Sequence, residues 1–181
     1  MFRRFTPILL LVATCWAVFF VNVLVFQGQL NRFGIIPRQV YGLPGIVCSP
    51  FLHASFQHLA ANTIPLLVLG AILCSRRPGE FLAVTLAGIP LTGSLIWLLA
   101  RNADHIGASS LVFCYFGYLT ALAWFHRTFF TVVVAVLCFF AYGGMLTGIL
   151  PNAGPISWEG HLAGLLVGVF LARLAPKTKS A

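Results

Sequence analysis

Six long apolar stretches separated by short polar breaks make this chain an all-α, polytopic membrane protein: a six-transmembrane-helix bundle forming a single domain, 1–181. Two features of composition carry that expectation. Hydrophobic residues make up 60% of the chain and charged residues 8%, where ordinary globular domains carry about 25% charged residues. The apolar runs fall at about 7–26, 56–74, 81–100, 107–125, 128–147 and 158–174. Each has the ~17–25 residues that a helix rising ~1.5 Å per residue needs to cross ~30 Å of hydrocarbon.

The first run follows Arg3 and Arg4 and resembles a signal peptide in that respect. Its apolar length exceeds the ~7–15 residues of a signal h-region, so it is expected to be a retained helix. The stretch 27–55 that follows holds Pro37, Pro44 and Pro50. It is too long for a plain connector and should fold against the bundle. Later breaks carry Arg76-Arg77-Pro78-Gly79 and Pro151-Asn152-Ala153-Gly154-Pro155, residues that punctuate helices.

Basic residues set the orientation. With both termini inside, the cytoplasmic side holds Arg3, Arg4, Arg76, Arg77, Arg127, Arg173, Lys177 and Lys179, and the outer side holds Arg32, Arg38 and Arg101. That asymmetry predicts cytoplasmic termini. The net charge of +8 is then accounted for by anionic headgroups. No basic stripe with interleaved aromatics points to a nucleic-acid partner. Cys15, Cys48, Cys74, Cys114 and Cys138 show neither CxxC spacing nor a His/Cys ligand pattern, so they are expected to be small buried hydrophobes.

In this topology three polar borders meet at the outer face: His53, His58 and Asn62 at the start of the second span, Ser109 at the start of the fourth, and His161 at the start of the sixth. Polar groups at lipid depth are costly unless paired or facing a cavity, so such a cluster points to function. The three spans run inward, so their N-terminal amides and partial positive charge face the cluster, which suits a developing oxyanion. Ser109, flanked by Gly107, Ala108 and Ser110, reads alone as a cap or packing residue. With a base it becomes a nucleophile. His161 is the base the sequence offers, and Gly164 with Gly168, facing Gly117 with Ala121, would let the two helices approach closely. His58 and Asn62, four residues apart, share one helical face. Three histidines also admit a metal site, but no carboxylate stands near to orient them, so no metal is expected. Glu159 should point away from His161, and Asp104 lies in a loop. A Ser–His dyad is the economical reading.

Three segments carry a family resemblance: His53-x4-His58-x3-Asn62, Gly107-Ala108-Ser109 and His161-Leu162-Ala163-Gly164, in this order over about 50–170. Together they resemble the rhomboid family of intramembrane serine proteases. The resemblance implies Ser109 as nucleophile and His161 as general base. It implies an oxyanion hole from His58, Asn62 and the Ser109 backbone N–H, with His53 a structural or secondary donor. It also implies cleavage of transmembrane helices of substrate membrane proteins within the lipid bilayer, with no cofactor. Departures are Ser110 where the family has glycine, and Gly42-Leu43-Pro44-Gly45 where many members carry a Trp-Arg pair. The bare six-helix core favours a bacterial inner membrane. The alternative function is a non-proteolytic, rhomboid-like chaperone that binds helices without cutting them. A small-solute transporter would show charged pathway residues or an inverted repeat.

Overall fold

The computed structural model describes residues 2–176 apart from Pro78, Ala153 and Pro155. Lys177 and Lys179, assigned above to the cytoplasmic side, lie outside the described residues. The helices are α1 (Thr6–Leu24), α2 (Gly45–Cys48), α3 (Phe56–Arg76), α4 (Glu80–Leu99), α5 (Ser109–His126), α6 (Phe129–Tyr142) and α7 (Trp158–Leu174). Six are long and match the six expected spans. The single turn α2 lies inside the 27–55 stretch. Among the described residues no strand forms, and one isolated antiparallel bridge pairs Ile35 with His105. Cys15, Cys74, Cys114 and Cys138 are buried as expected, whereas Cys48, at the end of α2, is half-buried because its short turn lies on the surface of the bundle.

Local chemistry sets the helix ends. Ser55 caps α3 by accepting the His58 amide at 3.1 Å, and Ser157 caps α7 by accepting the Gly160 amide at 3.1 Å. Thr128 and Thr131 form a reciprocal capping box at the start of α6. The fifth expected span stops being α-helical at Tyr142, where Gly143 and Gly144 weaken the helix, and continues as a tighter 3₁₀ segment over Gly143–Ile149.

By length and composition, four segments suit a bilayer: α1, α3, α4 and Phe129–Ile149. The other two long helices, α5 with 18 residues and α7 with 17, are shorter or more polar. For α5, position explains this. Residues 111–119 of α5 are all buried, so more than two turns are enclosed on every face. α5 packs against α3, α4, α6 and, most extensively, α7. A helix surrounded by protein can carry Tyr115 and Tyr118, because neighbouring helices satisfy their hydroxyls. Tyr115 bonds Thr85 at 2.6 Å, and Tyr118 donates to Glu80 at 2.7 Å.

The α5–α7 contact is made backbone to backbone. A methyl group at Gly164 would overlap the Ser110 carbonyl, and one at Gly168 would overlap that of Cys114. The small-residue stripe expected from sequence therefore lies at this crossing. Ser110 meets α7 through its carbonyl, and the glycine that permits the approach is Gly164 on the partner helix.

The 27–55 stretch folds onto α4. The Arg38 amide donates to the Trp97 carbonyl at 2.9 Å, its guanidinium to the Ala100 carbonyl at 2.7 Å, and the Trp97 indole N–H to the Gln39 carbonyl at 2.9 Å. An arginine and a tryptophan from different elements thus anchor this loop, in place of a Trp-Arg pair within it.

Gly164→Ala or Gly168→Ala should force α5 and α7 apart and destabilise the protein by about 1–3 kcal/mol or more. Leu166→Ala, on the exposed face of α7, should stay within about 0.5 kcal/mol. Thermal melts in one detergent compare them, and equal melting of all three would remove the packing argument.

Candidate active site

Ser109 is the first residue of α5, and His161 lies in the first turn of α7. The glycine crossing below them brings the Ser109 hydroxyl to 3.0 Å from His161 Nε2. The opposite ring nitrogen, Nδ1, is 3.0 Å from the Gly148 carbonyl. A carbonyl oxygen only accepts, so Nδ1 carries the proton and Nε2 is left as an acceptor for the Ser109 O–H. The Phe113 ring, one turn along α5 from Ser109, stacks on the imidazole with centroids 4.3 Å apart and planes 10° from parallel. Position, tautomer and ring plane of His161 are all fixed. Glu159 points away, to Arg101, with 3.4 Å between Nε and Oε1.

Ser109 and His161 line a cavity of about 670 Å³ with His58, Asn62, Asp104 and Ser157 among its walls. Ser109, His161, His58 and Asn62, singled out in the sequence, therefore share one space. The Asn62 amide spends one N–H on the His58 carbonyl at 2.9 Å, and an amide nitrogen carries two. Gly107 lies against the His58 ring with φ of 115°, a conformation that side chains rarely adopt. A Cβ there would sit 2.6 Å from the imidazole. His53 stands behind the cavity, 2% exposed, its ring edge-on to that of His58. Its Nε2 accepts the Ala108 amide at 3.4 Å, while the Ser49 carbonyl accepts the Gly107 amide at 2.9 Å. These two bonds hold the entry to α5. The next amide, that of Ser109, opens the helix and has no intrahelical carbonyl to meet. Ser110 borders a narrow crevice beside Ser49, His105 and Ser157.

A family model, the Rhomboid domain, matches residues 37–177. The chain belongs to the rhomboid family. Relatives of similar sequence include the uncharacterized protein Rv1337 of Mycobacterium tuberculosis, 37% identical over 97% of this chain and 77% of its own length. The uncharacterized protein Mb1372 of Mycobacterium bovis matches to the same extent. The uncharacterized protein ML1171 of Mycobacterium leprae is 38% identical over 85% of this chain and 65% of its own length. This rhomboid is an integral membrane protein, in keeping with its apolar spans.

Parts of the rhomboid site escaped sequence reasoning. Arg101 donates to the carbonyls of Asn152, Gly154 and Ile156, the last two at 2.9 and 2.8 Å, and so pins the loop before α7. His105 Nε2–H donates to the Arg101 carbonyl at 3.0 Å, which leaves Nδ1 to accept the Ser157 hydroxyl at 2.6 Å. Ser157 then caps the helix that carries His161. The only sequence signal was a scatter of polar residues in two loops with nothing to pair them. Phe113 was findable, since it stands four residues after Ser109 on the same face.

Burial holds the His53 imidazole down to about 4 from the ordinary 6.5, with His58 adding repulsion. The unfolded chain therefore takes up this proton first as pH falls. The stability it confers is complete above about 6.5 and is lost progressively between there and about 4. On lowering pH from about 7.5 to about 5, His53 should cost of the order of 2 kcal/mol. His53→Gln, which does not titrate, should show a smaller fall in melting temperature over that range; an identical fall would deny His53 this share.

Proposed function

We propose that this rhomboid is an intramembrane serine endopeptidase, and the observation that carries the reading is the 3.0 Å contact between Ser109 Oγ and an oriented His161 Nε2. Ser109 attacks a substrate carbonyl as its proton passes to His161. The Gly148 carbonyl supports the resulting imidazolium through Nδ1–H, the place a triad gives to a carboxylate. The oxyanion forms toward the Ser109 amide, the second N–H of Asn62 and His58, aided by the N-terminal dipole of α5. His161 returns its proton to the leaving amine, and water then hydrolyses the acyl-enzyme by the same relay. The substrate class is a transmembrane helix of another membrane protein, opened locally so that one peptide bond enters the cavity. Arg3, Arg4, Arg76, Arg77, Arg127 and Arg173 lie toward the far end of the bundle. They favour placing that end in the cytoplasm and the dyad at the outer face of a bacterial inner membrane.

A fluorophosphonate probe and a generic single-span substrate test the dyad. Wild type should be labelled and cleave; Ser109→Ala should do neither, and His161→Ala should lose most of both. Asn62→Ala should lower kcat by about 10²–10³ with little change in KM. Ser110→Gly should change kcat by less than about tenfold, equivalent to ~1.4 kcal/mol, because Ser110 leaves the dyad distance intact. Cleavage that persists in Ser109→Ala sinks the assignment. A gain of several hundred-fold in Ser110→Gly would favour a helix-binding role for the native chain.

Orientation has its own test. Both Val40 and Ser75 are exposed. In intact cells an impermeant maleimide should label Val40→Cys from outside and reach Ser75→Cys only after lysis. The reverse pattern would turn the site toward the cytoplasm.

A further inference from the structure

Charge is concentrated a second time at the end of the bundle opposite Ser109 and His161. The turn from α3 into α4 sets Arg76 and Arg77 against Glu80, with Nε–carboxylate distances of 3.1 and 3.4 Å. Tyr118 donates to the same carboxylate at 2.7 Å, so the buried Glu80 is shared three ways. The chain has three acidic residues, and the other two, Asp104 and Glu159, stand at the far end. Arg4 donates to the carbonyls of Cys74 and Ser75, both at 2.6 Å. Among the described residues neither Arg3 nor Arg4 forms an ion pair. Arg76 and Arg77 thus share one occupied carboxylate, while Arg3 and Arg4 add positive charge at the same end with no acidic partner among the described residues.

Arg3, Arg4 and Arg77 line a cavity of about 470 Å³, walled otherwise by mainly apolar groups that include Phe81 and Leu82. α4 begins at this cavity, so the positive end of its dipole adds to the arginine field. A groove of about 480 Å³ lies between α4 and α7, lined mainly by apolar groups such as Val84, Ala87, Leu171 and Leu174, with the mutually bonded Glu80 and Tyr118 in its wall. Arg77 and Gly79 border both spaces. A basic cavity that shares an edge with an apolar groove, in a protein embedded in lipid, has the two-part chemistry of an amphiphile. Guanidinium forks match phosphate oxygens. A zwitterionic headgroup would bring its own cation into this field, whereas a net-negative one would not.

We propose that these two spaces hold one anionic phospholipid of the adjacent leaflet, its phosphate among Arg3, Arg4 and Arg77 and an acyl chain along the α4–α7 groove. The site is separate from the dyad and stands whether or not the protein is a protease.

The test titrates phosphatidylglycerol or phosphatidylcholine of matched chains into the full-length protein in neutral detergent, read by native mass spectrometry. One phosphatidylglycerol should be retained at least about tenfold more tightly than phosphatidylcholine. Arg3→Gln combined with Arg77→Gln should abolish most of that preference, and Arg3→Gln alone, which leaves Glu80 paired, should weaken it measurably. Ala87→Trp, which fills the groove, should weaken long-chain but not short-chain lipid. Arg127→Gln, at the same end but outside the cavity, should have no effect. Equal losses in Arg127→Gln would assign the preference to diffuse surface charge and overturn the site. Inorganic phosphate that displaces the lipid at millimolar concentration would make the ligand a free anion and overturn the lipid. An unchanged preference in the arginine variants would end the proposal.

Discussion

Everything at the candidate site depends on the absence of two side chains. Gly164 and Gly168 let the α7 backbone rest on the carbonyls of Ser110 and Cys114. In lipid there is no hydrophobic drive to press two helices together, because acyl chains solvate apolar side chains as well as another helix does. Close van der Waals contact along a bare backbone supplies the association instead. Ser109 and His161 stand just beyond this crossing, each in the first turn of its helix. Helix packing thus brings the two side chains within reach, and the Gly148 carbonyl and Phe113 ring that orient His161 complete the 3.0 Å contact.

Around that crossing, loops do what helices cannot. The Ile35–His105 bridge, the Ser49 carbonyl on the Gly107 amide and the Arg101 clamp tie separate loops into one outer layer. That layer holds both helix entries. His53 and Ser49 hold the start of α5, and Ser157, steadied by His105, holds the start of α7. The polar residues of this end are therefore spent largely on backbone groups that need a partner inside the protein. At the other end charge is gathered differently, with arginines around one buried glutamate at the α3–α4 turn.

The fold was legible because hydropathy in a membrane protein is close to a direct readout of position. The spans could be placed within a few residues, and the polar borders that interrupt them marked Ser109, His58, Asn62 and His161 before any contact was known. Legibility failed where a residue's partner is a carbonyl. Gly148 holds His161 through its backbone, as the loop carbonyls hold Arg101, and a carbonyl has no identity in a sequence. Gly143 and Gly144 were visible, but the change from α to 3₁₀ helix that they mark depends on what the segment packs against. α2 was missed because a single turn inside a proline-bearing loop leaves no periodicity to detect.

The enclosure of α5 has a mechanical consequence. A bilayer thinner or thicker than the protein's apolar height exerts its strain on helices that touch lipid, which tilt or bend to relieve it. Leu9, Leu10 and Phe20 of α1, and Val136, Leu137 and Phe140 of α6, present such surfaces. Residues 111–119 of α5 present none. The half of α5 that follows Ser109 is therefore held inside a sleeve of other helices, and changes in membrane thickness reach that half only after the sleeve has absorbed them.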